Sequence, residues 1–321
     1  MNGEIRKMIL GHHHISMYTR NAGSNNHFYN EILGLRRVKV SVNQDDPTMY
    51  HLFYGDLIGS PGTELSFFEI PTIGSTHRGT NAITQIGLLV PSFESLLYWK
   101  ERLSQFNVKH GEITTYAGHD ALHFEDPEGL RLVLLNNNGR SIPDEWQAWT
   151  DSVVPEENRI LGMGSIEITV RSLDSISKML ENIFNYTNVL RTEKEAIYQA
   201  VNGEVFGEIV IKQLDGPRER PGKGSIHHLA IRVEGTDLQK WDNKIKAAGY
   251  RSTGVVDRYY FNSIYFRDEN RVMFEIVSDG PGFTADSTVA ELGTKLDLPP
   301  FLEDRRAEIE ANLIPIEEWK S

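Results

Sequence analysis

Apolar and polar positions along the 321 residues follow one grammar four times over. Each copy opens with an apolar strand, passes a Ser, Thr or Asn into an amphipathic helix, and then gives three short strands separated by Gly, Asp or Asn turns. The opening strands are Leu10 to Tyr18, Ala82 to Val90, Gly162 to Val170 and Ser225 to Val233. The pattern predicts helices over roughly Ser24 to Leu33, Ser92 to Phe106, Leu173 to Phe184 and Leu238 to Ala248, with Gly34 and Gly249 as C-terminal stops. In the fourth, Leu238, Trp241, Ile245 and Ala248 recur at helical steps and predict one buried stripe.

This repeat predicts an α+β protein of four βαβββ modules, at residues 1–78, 79–138, 161–220 and 221–283. The run Asn136-Asn137-Asn138, then Gly139, Pro143 and Pro155, breaks the period, so residues 139–160 read as a connector between halves. Residues 284–321 read as a tail, in which Leu298-Pro299-Pro300 precedes a charged helix near Glu303 to Asn312, most simply a solvated helix packed on the body.

Aligning the modules on their opening strands makes His14, Gln85, Ser165 and His228 equivalent, at spacings of 71, 80 and 63 residues. Two copies therefore carry a histidine where two do not. The closing strands align in the same way: seven residues after Asp126 stands Val133, and seven after Asp268 stands Glu275. A strand buried on one face calls for an apolar residue there, and a carboxylate amid Val272, Met273, Phe274, Ile276 and Val277 demands a partner.

Composition narrows the chemistry. With no cysteine, disulfides, thiolate zinc sites, iron-sulfur clusters and a cysteine nucleophile are all excluded, so any metal is held by nitrogen and oxygen. A formal net charge of -12, with no basic run beyond Arg218 to Lys223, argues against nucleic acid as a partner. Met1 to Leu10 has no apolar leader core and no stretch is long enough to span a membrane, which predicts a cytoplasmic protein with no membrane partner.

Over nearly its whole length this grammar resembles the vicinal oxygen chelate superfamily, which contains glyoxalases, bleomycin resistance proteins and extradiol dioxygenases. The resemblance implies that two modules pair into a half-barrel cup with metal ligands on first and last strands, and the matching residues are His14, His228 and Glu275. Two neutral imidazoles and a carboxylate leave three adjacent positions open, which suits Fe(II) binding a substrate oxygen beside O2, whereas zinc more often takes a closed or four-coordinate site. Only modules 1 and 4 supply these ligands. They are expected to pair around the metal, leaving modules 2 and 3 as a metal-free cup, a swapped arrangement relative to extradiol enzymes that pair consecutive modules.

Within the superfamily the chain is similar to bacterial enzymes that cleave para-hydroquinones and chlorohydroquinones, through His13-His14-Ile15, His227-His228, Arg258, Tyr265 and Val272-Met273-Phe274-Glu275. The resemblance implies that His13, His227 and Tyr265 surround the metal as acid/base or hydrogen-bonding groups and that Arg258 clamps an anionic oxygen. The chain departs from the chlorohydroquinone branch at Ser16, where those relatives have Thr. Its module-4 turn, Asp268-Glu269-Asn270-Arg271, also lacks the Pro and Gly of Asp126-Pro127-Glu128-Gly129.

The function implied is Fe(II)-dependent cleavage of a hydroquinone- or catechol-type ring by O2. The phenolic substrate would bind as phenolate, and His13, His227 or Tyr265 would supply the proton that lets the ring open. A glyoxalase-type isomerase or thiol transferase is the alternative if a fourth ligand such as Glu69 joins, and a metal-free aromatic-binding protein is a third reading. Plainer readings stand beside these. The His12-His13-His14 run could be an ordinary strand start, Tyr265 and Arg258 could simply cap the cup rim, and adjacent His227 and His228 should face opposite sides of a regular strand, leaving His228 as the ligand. Glu69 is expected in a solvated or turn role. His27, His51, His77, His110, His119 and His123 are expected to be surface or satisfied core histidines, and unpaired cup edges could meet in a homodimer.

Overall fold

The computed structural model describes residues 9–235 and 237–316; of the segment Met1 to Leu10, only the last two residues fall inside that range. The strands are β1 (Ile9–Thr19), β2 (Arg36–Val42), β3 (Tyr50–Gly55), β4 (Glu64–Glu69), β5 (Ala82–Val90), β6 (His110–Tyr116), β7 (His119–Glu125) and β8 (Arg131–Asn136). In the second half come β9 (Gly162–Val170), β10 (Thr187–Arg191), β11 (Glu195–Gln199), β12 (Glu208–Gln213), β13 (Ile226–Val233), β14 (Val256–Asp257), β15 (Asn262–Arg267) and β16 (Met273–Ser278). The helices are α1 (Ala22–Asn26), α2 (Phe93–Gln105), α3 (Leu173–Asn182), α4 (Leu238–Ala247) and α5 (Arg306–Asn312).

Two eight-stranded mixed sheets result, ordered β14-β15-β16-β13-β1-β4-β3-β2 and β10-β11-β12-β9-β5-β8-β7-β6. Modules 4 and 1 therefore share one sheet and modules 3 and 2 the other, the swapped pairing expected from the ligand distribution. In each sheet two opening strands meet antiparallel at the centre, as Ser16 opposite His228 illustrates. Each opening strand also pairs parallel with the closing strand of its own module, which sets His14 beside Glu64 and Ala230 beside Glu275. Strand periodicity then sorts the side chains. Leu229, Ile231, Phe274 and Ile276 enter the main core beneath the helices, while Ala230 and Val277 join Val38 and Phe53 in a separate cluster on the opposite face.

Helix boundaries depart modestly from the reading. The first helix starts at Ala22, two residues before Ser24, because the Asn21 carboxamide accepts the Ser24 N–H at 2.7 Å and caps it. It continues over His27–Ile32 as a π-helix, with Leu33 N–H donating to the Phe28 carbonyl. In α4, Leu238, Trp241 and Ile245 are buried as expected, but Ala248 is exposed because the helix has already ended. Gly34 and Gly249 adopt φ of 70° and 92°, the left-handed stop that glycine favours.

The turn lacking Pro and Gly in module 4 reproduces its module-2 counterpart. Asp126 and Asp268 are both buried, and each accepts the N–H four residues on at 2.8 Å, from Leu130 and Val272. Arg271 takes φ +66°, where Gly129 has +88°. The aspartate anchors the turn in both, so Glu275 keeps its register at the cost of a strained arginine.

The tail is fastened to β2 rather than merely solvated. Fully buried Lys39 bridges Asp286 at 2.8 Å and Asp297 at 2.7 Å, and Val40 pairs with Leu296.

Candidate metal centre

Three side chains from three central strands converge. His14 from β1, His228 from β13 and Glu275 from β16 are buried on the same face of the shared sheet. Glu275 Oε2 lies 2.9 Å from His14 Nε2 and 2.8 Å from His228 Nε2, and the two nitrogens are 3.2 Å apart. Neither nitrogen is placed to donate a proper hydrogen bond to the carboxylate, whose two oxygens are wholly buried.

These separations fit a shared cation. Donors at mutually adjacent octahedral positions lie √2 bond lengths apart, so these would sit about 2.0–2.3 Å from one ion, ordinary lengths for metal–nitrogen and metal–oxygen bonds. The donor set suits the task electrostatically as well. Burial alone would raise the Glu275 carboxyl, but the adjoining imidazoles outweigh it and hold it well below the usual range, while burial lowers His228 toward the neutral ligand form.

The far nitrogen of each ligand imidazole meets its sequence neighbour. His14 Nδ1 faces His13 Nδ1 at 3.1 Å, and His228 Nδ1 faces His227 Nδ1 at 2.8 Å. With Nε2 directed at a bound cation, each ligand's Nδ1 would carry the proton and donate it to the neighbouring imidazole, which would fix ring orientation. His13 is buried against Phe261 and lies 3.8 Å from Glu64, outside the cavity lining. His13, His14 and Glu64 form a second metal-compatible cluster behind the first. A register shift in β1 between His12 and Ile15 gives the local irregularity that lets both neighbours turn inward. A shift also falls next to His228, and there His227 borders the cavity together with its neighbour, which strict alternation forbids.

His14 and His228 line a cavity of about 410 Å³, with Glu275 buried behind them. Ser41 and Val42 of edge strand β2 line it together with Tyr265 of β15, so the sheet is curled into a cup around it. Tyr265 pairs with Glu275 across β15 and β16, and burial, then the Glu275 charge, keep its phenol protonated. The Arg258 guanidinium lies over the Tyr265 ring at 5.3 Å and is held by Asp45 at 3.1 Å, so module 1 positions a module-4 cation. A larger, more open groove of about 570 Å³ shares Thr253, Tyr265 and Met273 with this cavity but contains none of the three ligands.

One acid and one histidine depart from expectation, and a second acid enters unannounced. Glu69 is buried, and its Oε1 accepts the Ala22 N–H at 2.7 Å at the start of α1, so it is neither solvated nor a fourth ligand. Glu64, unremarked in sequence, is buried beside His13. His51 lines the cavity with an unpartnered buried Nε2, contrary to a surface or satisfied core role. Of the remaining histidines, His27 and His77 are exposed and His123 bonds Gln85 in the other sheet.

Residues 11–134 and 162–276 match the model of the Glyoxalase/Bleomycin resistance protein/Dioxygenase superfamily. The chain belongs to this superfamily. Among superfamily relatives, it is 47% identical to the "putative ring-cleaving dioxygenase MhqA" of Bacillus subtilis strain 168, covering 96% of this chain and 99% of MhqA. It is 29% identical to the chlorohydroquinone/hydroquinone 1,2-dioxygenase of Sphingobium indicum, over 95% of this chain and 96% of that protein. A crystal structure of a B. subtilis "putative dioxygenase" superposes with a TM-score of 0.90 at 34% identity, covering 98% of this chain and all 100% of that one. Glyoxalase I from Zea mays, at 13% identity and a TM-score of 0.61 over 84% of this chain and 92% of its own, shares the superfamily fold.

Proposed function

We propose that the chain is an Fe(II)-dependent dioxygenase that opens a hydroquinone- or catechol-type ring and inserts both atoms of O2. The observation that carries this reading is the buried His14–His228–Glu275 cluster, whose two imidazoles line a cavity beside a phenol and a guanidinium. Bound there, Fe(II) would favour the deprotonated substrate oxygen and allow electron exchange between ring and O2.

The chain's own groups divide the remaining work. Arg258, oriented by Asp45, neutralises a phenolate oxygen entering the cup. Tyr265, kept protonated beside Glu275, holds a proton at its hydroxyl that can be given to a developing oxyanion. His227 is pushed down to about 3, by burial first and then by His228, so it enters the reaction as a neutral imidazole bordering the cavity, and with its Nδ1 accepting from His228 its one proton is at Nε2, where it can be donated. His13 acts through His14, whose ring it orients. Partners on this reading are a small phenol and O2, met in the cytoplasm, with edge strand β14 available to a second copy.

A glyoxalase-type reaction through a fourth ligand loses its candidate, since Glu69 is engaged at Ala22. The deciding experiment is oxygen uptake after anaerobic Fe(II) reconstitution. Consumption with hydroquinone or catechol supports ring cleavage; a tightly bound metal without oxygen consumption across a broad phenol panel defeats it.

A further inference from the structure

β3 alternates strictly: Tyr50, Leu52 and Tyr54 enter the main core, whereas His51 and Phe53 face the cup. The His51 ring lies between those of Phe53 and Phe68, at centroid distances of 4.0 and 4.1 Å. Along the sheet His51 sits opposite Phe68, and Phe68 beside Tyr18, one layer further along β1 than the Ser16–Ser66 pair. Its strand is two removed from β1, roughly 10 Å across the sheet. It therefore stands on the cavity wall, away from the triad at the floor.

Packing does not call for an imidazole at this point. A phenyl ring would stack between two phenylalanines equally well, and a buried nitrogen without a partner costs stability. Burial, then the facing His14 and His228 and the Arg258 charge, disfavour the cation against the opposing pull of Glu275. A neutral imidazole presents one N–H and one lone pair to whatever enters.

We propose that His51 binds substrate directly, hydrogen-bonding a ring hydroxyl directed away from the metal, and thereby selects para-dihydroxy rings over ortho ones. This rests on the ring-cleavage reading. With one phenolic oxygen at the triad, a para hydroxyl is carried to the opposite end of the ring and toward the wall. An ortho hydroxyl lies beside the first, within reach of the same ion, and leaves the His51 imidazole without a partner. A site built to pair a hydroxyl penalises ligands that lack it.

The test compares wild type with His51→Phe and His51→Gln by three readouts. These are anaerobic binding of hydroquinone and of phenol, oxygen uptake with hydroquinone and with catechol, and thermal melting. His51→Phe keeps the stack and loses the unpaired nitrogen, so it should melt roughly 1–4 °C higher without ligand. It should bind hydroquinone about 10- to 100-fold more weakly and lose a similar factor in kcat/KM, with phenol binding and catechol turnover unchanged. His51→Gln, which retains an amide N–H, should recover part of both losses. Unchanged hydroquinone binding in His51→Phe, or equal losses for all the phenols, overturns the assignment. Wild-type enzyme that takes up no oxygen with any phenol refutes ring cleavage itself, a result separate from the binding comparison.

Discussion

Replacing Glu275 with Gln isolates the charge of the triad from its shape. Glu275 is 0% exposed, and its Oε2 stands 2.8 and 2.9 Å from the two imidazole nitrogens, so no water can substitute for it. Gln fills the same volume and retains one oxygen, but it removes the only negative charge among the three donors. Breaking a buried charge pair by removing one partner costs about 3–5 kcal/mol. At about 1.4 kcal/mol per tenfold, metal affinity should fall by roughly two to four powers of ten. Apo stability should fall as well, by a smaller amount, because the imidazoles that hold the Glu275 carboxyl well below its usual range would no longer face an anion. The assay is metal content after anaerobic Fe(II) loading and gel filtration, with melting curves taken with and without metal. Expected are a near-empty variant whose melting temperature ignores added Fe(II) and a wild type stabilised by it. A Glu275→Gln protein that retains stoichiometric iron and the same metal-induced shift would refute the triad.

Three further perturbations probe the scaffold around the two cups. Burial pushes the Asp126 carboxyl up from 3.8 to about 6, so its contribution is full below about pH 4 and is lost as pH rises through 6. Asp126→Asn imitates the protonated form, and urea midpoints between pH 4 and 7.5 should show wild type losing on the order of 1–3 kcal/mol relative to the variant as pH rises; parallel profiles would contradict the linkage. Arg271→Gly relieves a left-handed φ of +66° and should stabilise by about 0.5–1 kcal/mol after the entropy of glycine is set against it, read as a raised urea midpoint. Lys39→Met leaves Asp286 and Asp297 facing an apolar side chain and should destabilise by about 3–5 kcal/mol, with protease cleavage appearing first in the tail.

The four modules and the pairing of the first with the last were legible because each depends on something periodic or countable. Strand openings recur, and only two of the four carry the histidine. Glu275 was legible because a carboxylate within Val272 to Val277 breaks an apolar run that its repeat partner Val133 keeps. What escaped depends on contacts between distant strands. His51 differs in sequence from no ordinary strand histidine, and only the curl of the sheet brings it to the cavity wall; the alternation of Tyr50, Leu52 and Tyr54 against His51 and Phe53 was the available signal. Glu69 looked solvated because Ile70-Pro71 follows it, yet α1 returns to place the Ala22 N–H on its carboxylate. His227 faces the cavity with His228 because the strand register slips there, and slips of that kind leave no mark in hydrophobic periodicity.

The reading of this superfamily member as a ring-opening enzyme is tested most directly by supplying 18O2 to the iron-loaded protein with hydroquinone and weighing the product. Two 18O atoms in an opened-ring acid, with loss of the aromatic absorbance, is the expected outcome. An intact ring, or a product bearing at most one labelled atom under conditions that exclude exchange with water, would contradict it.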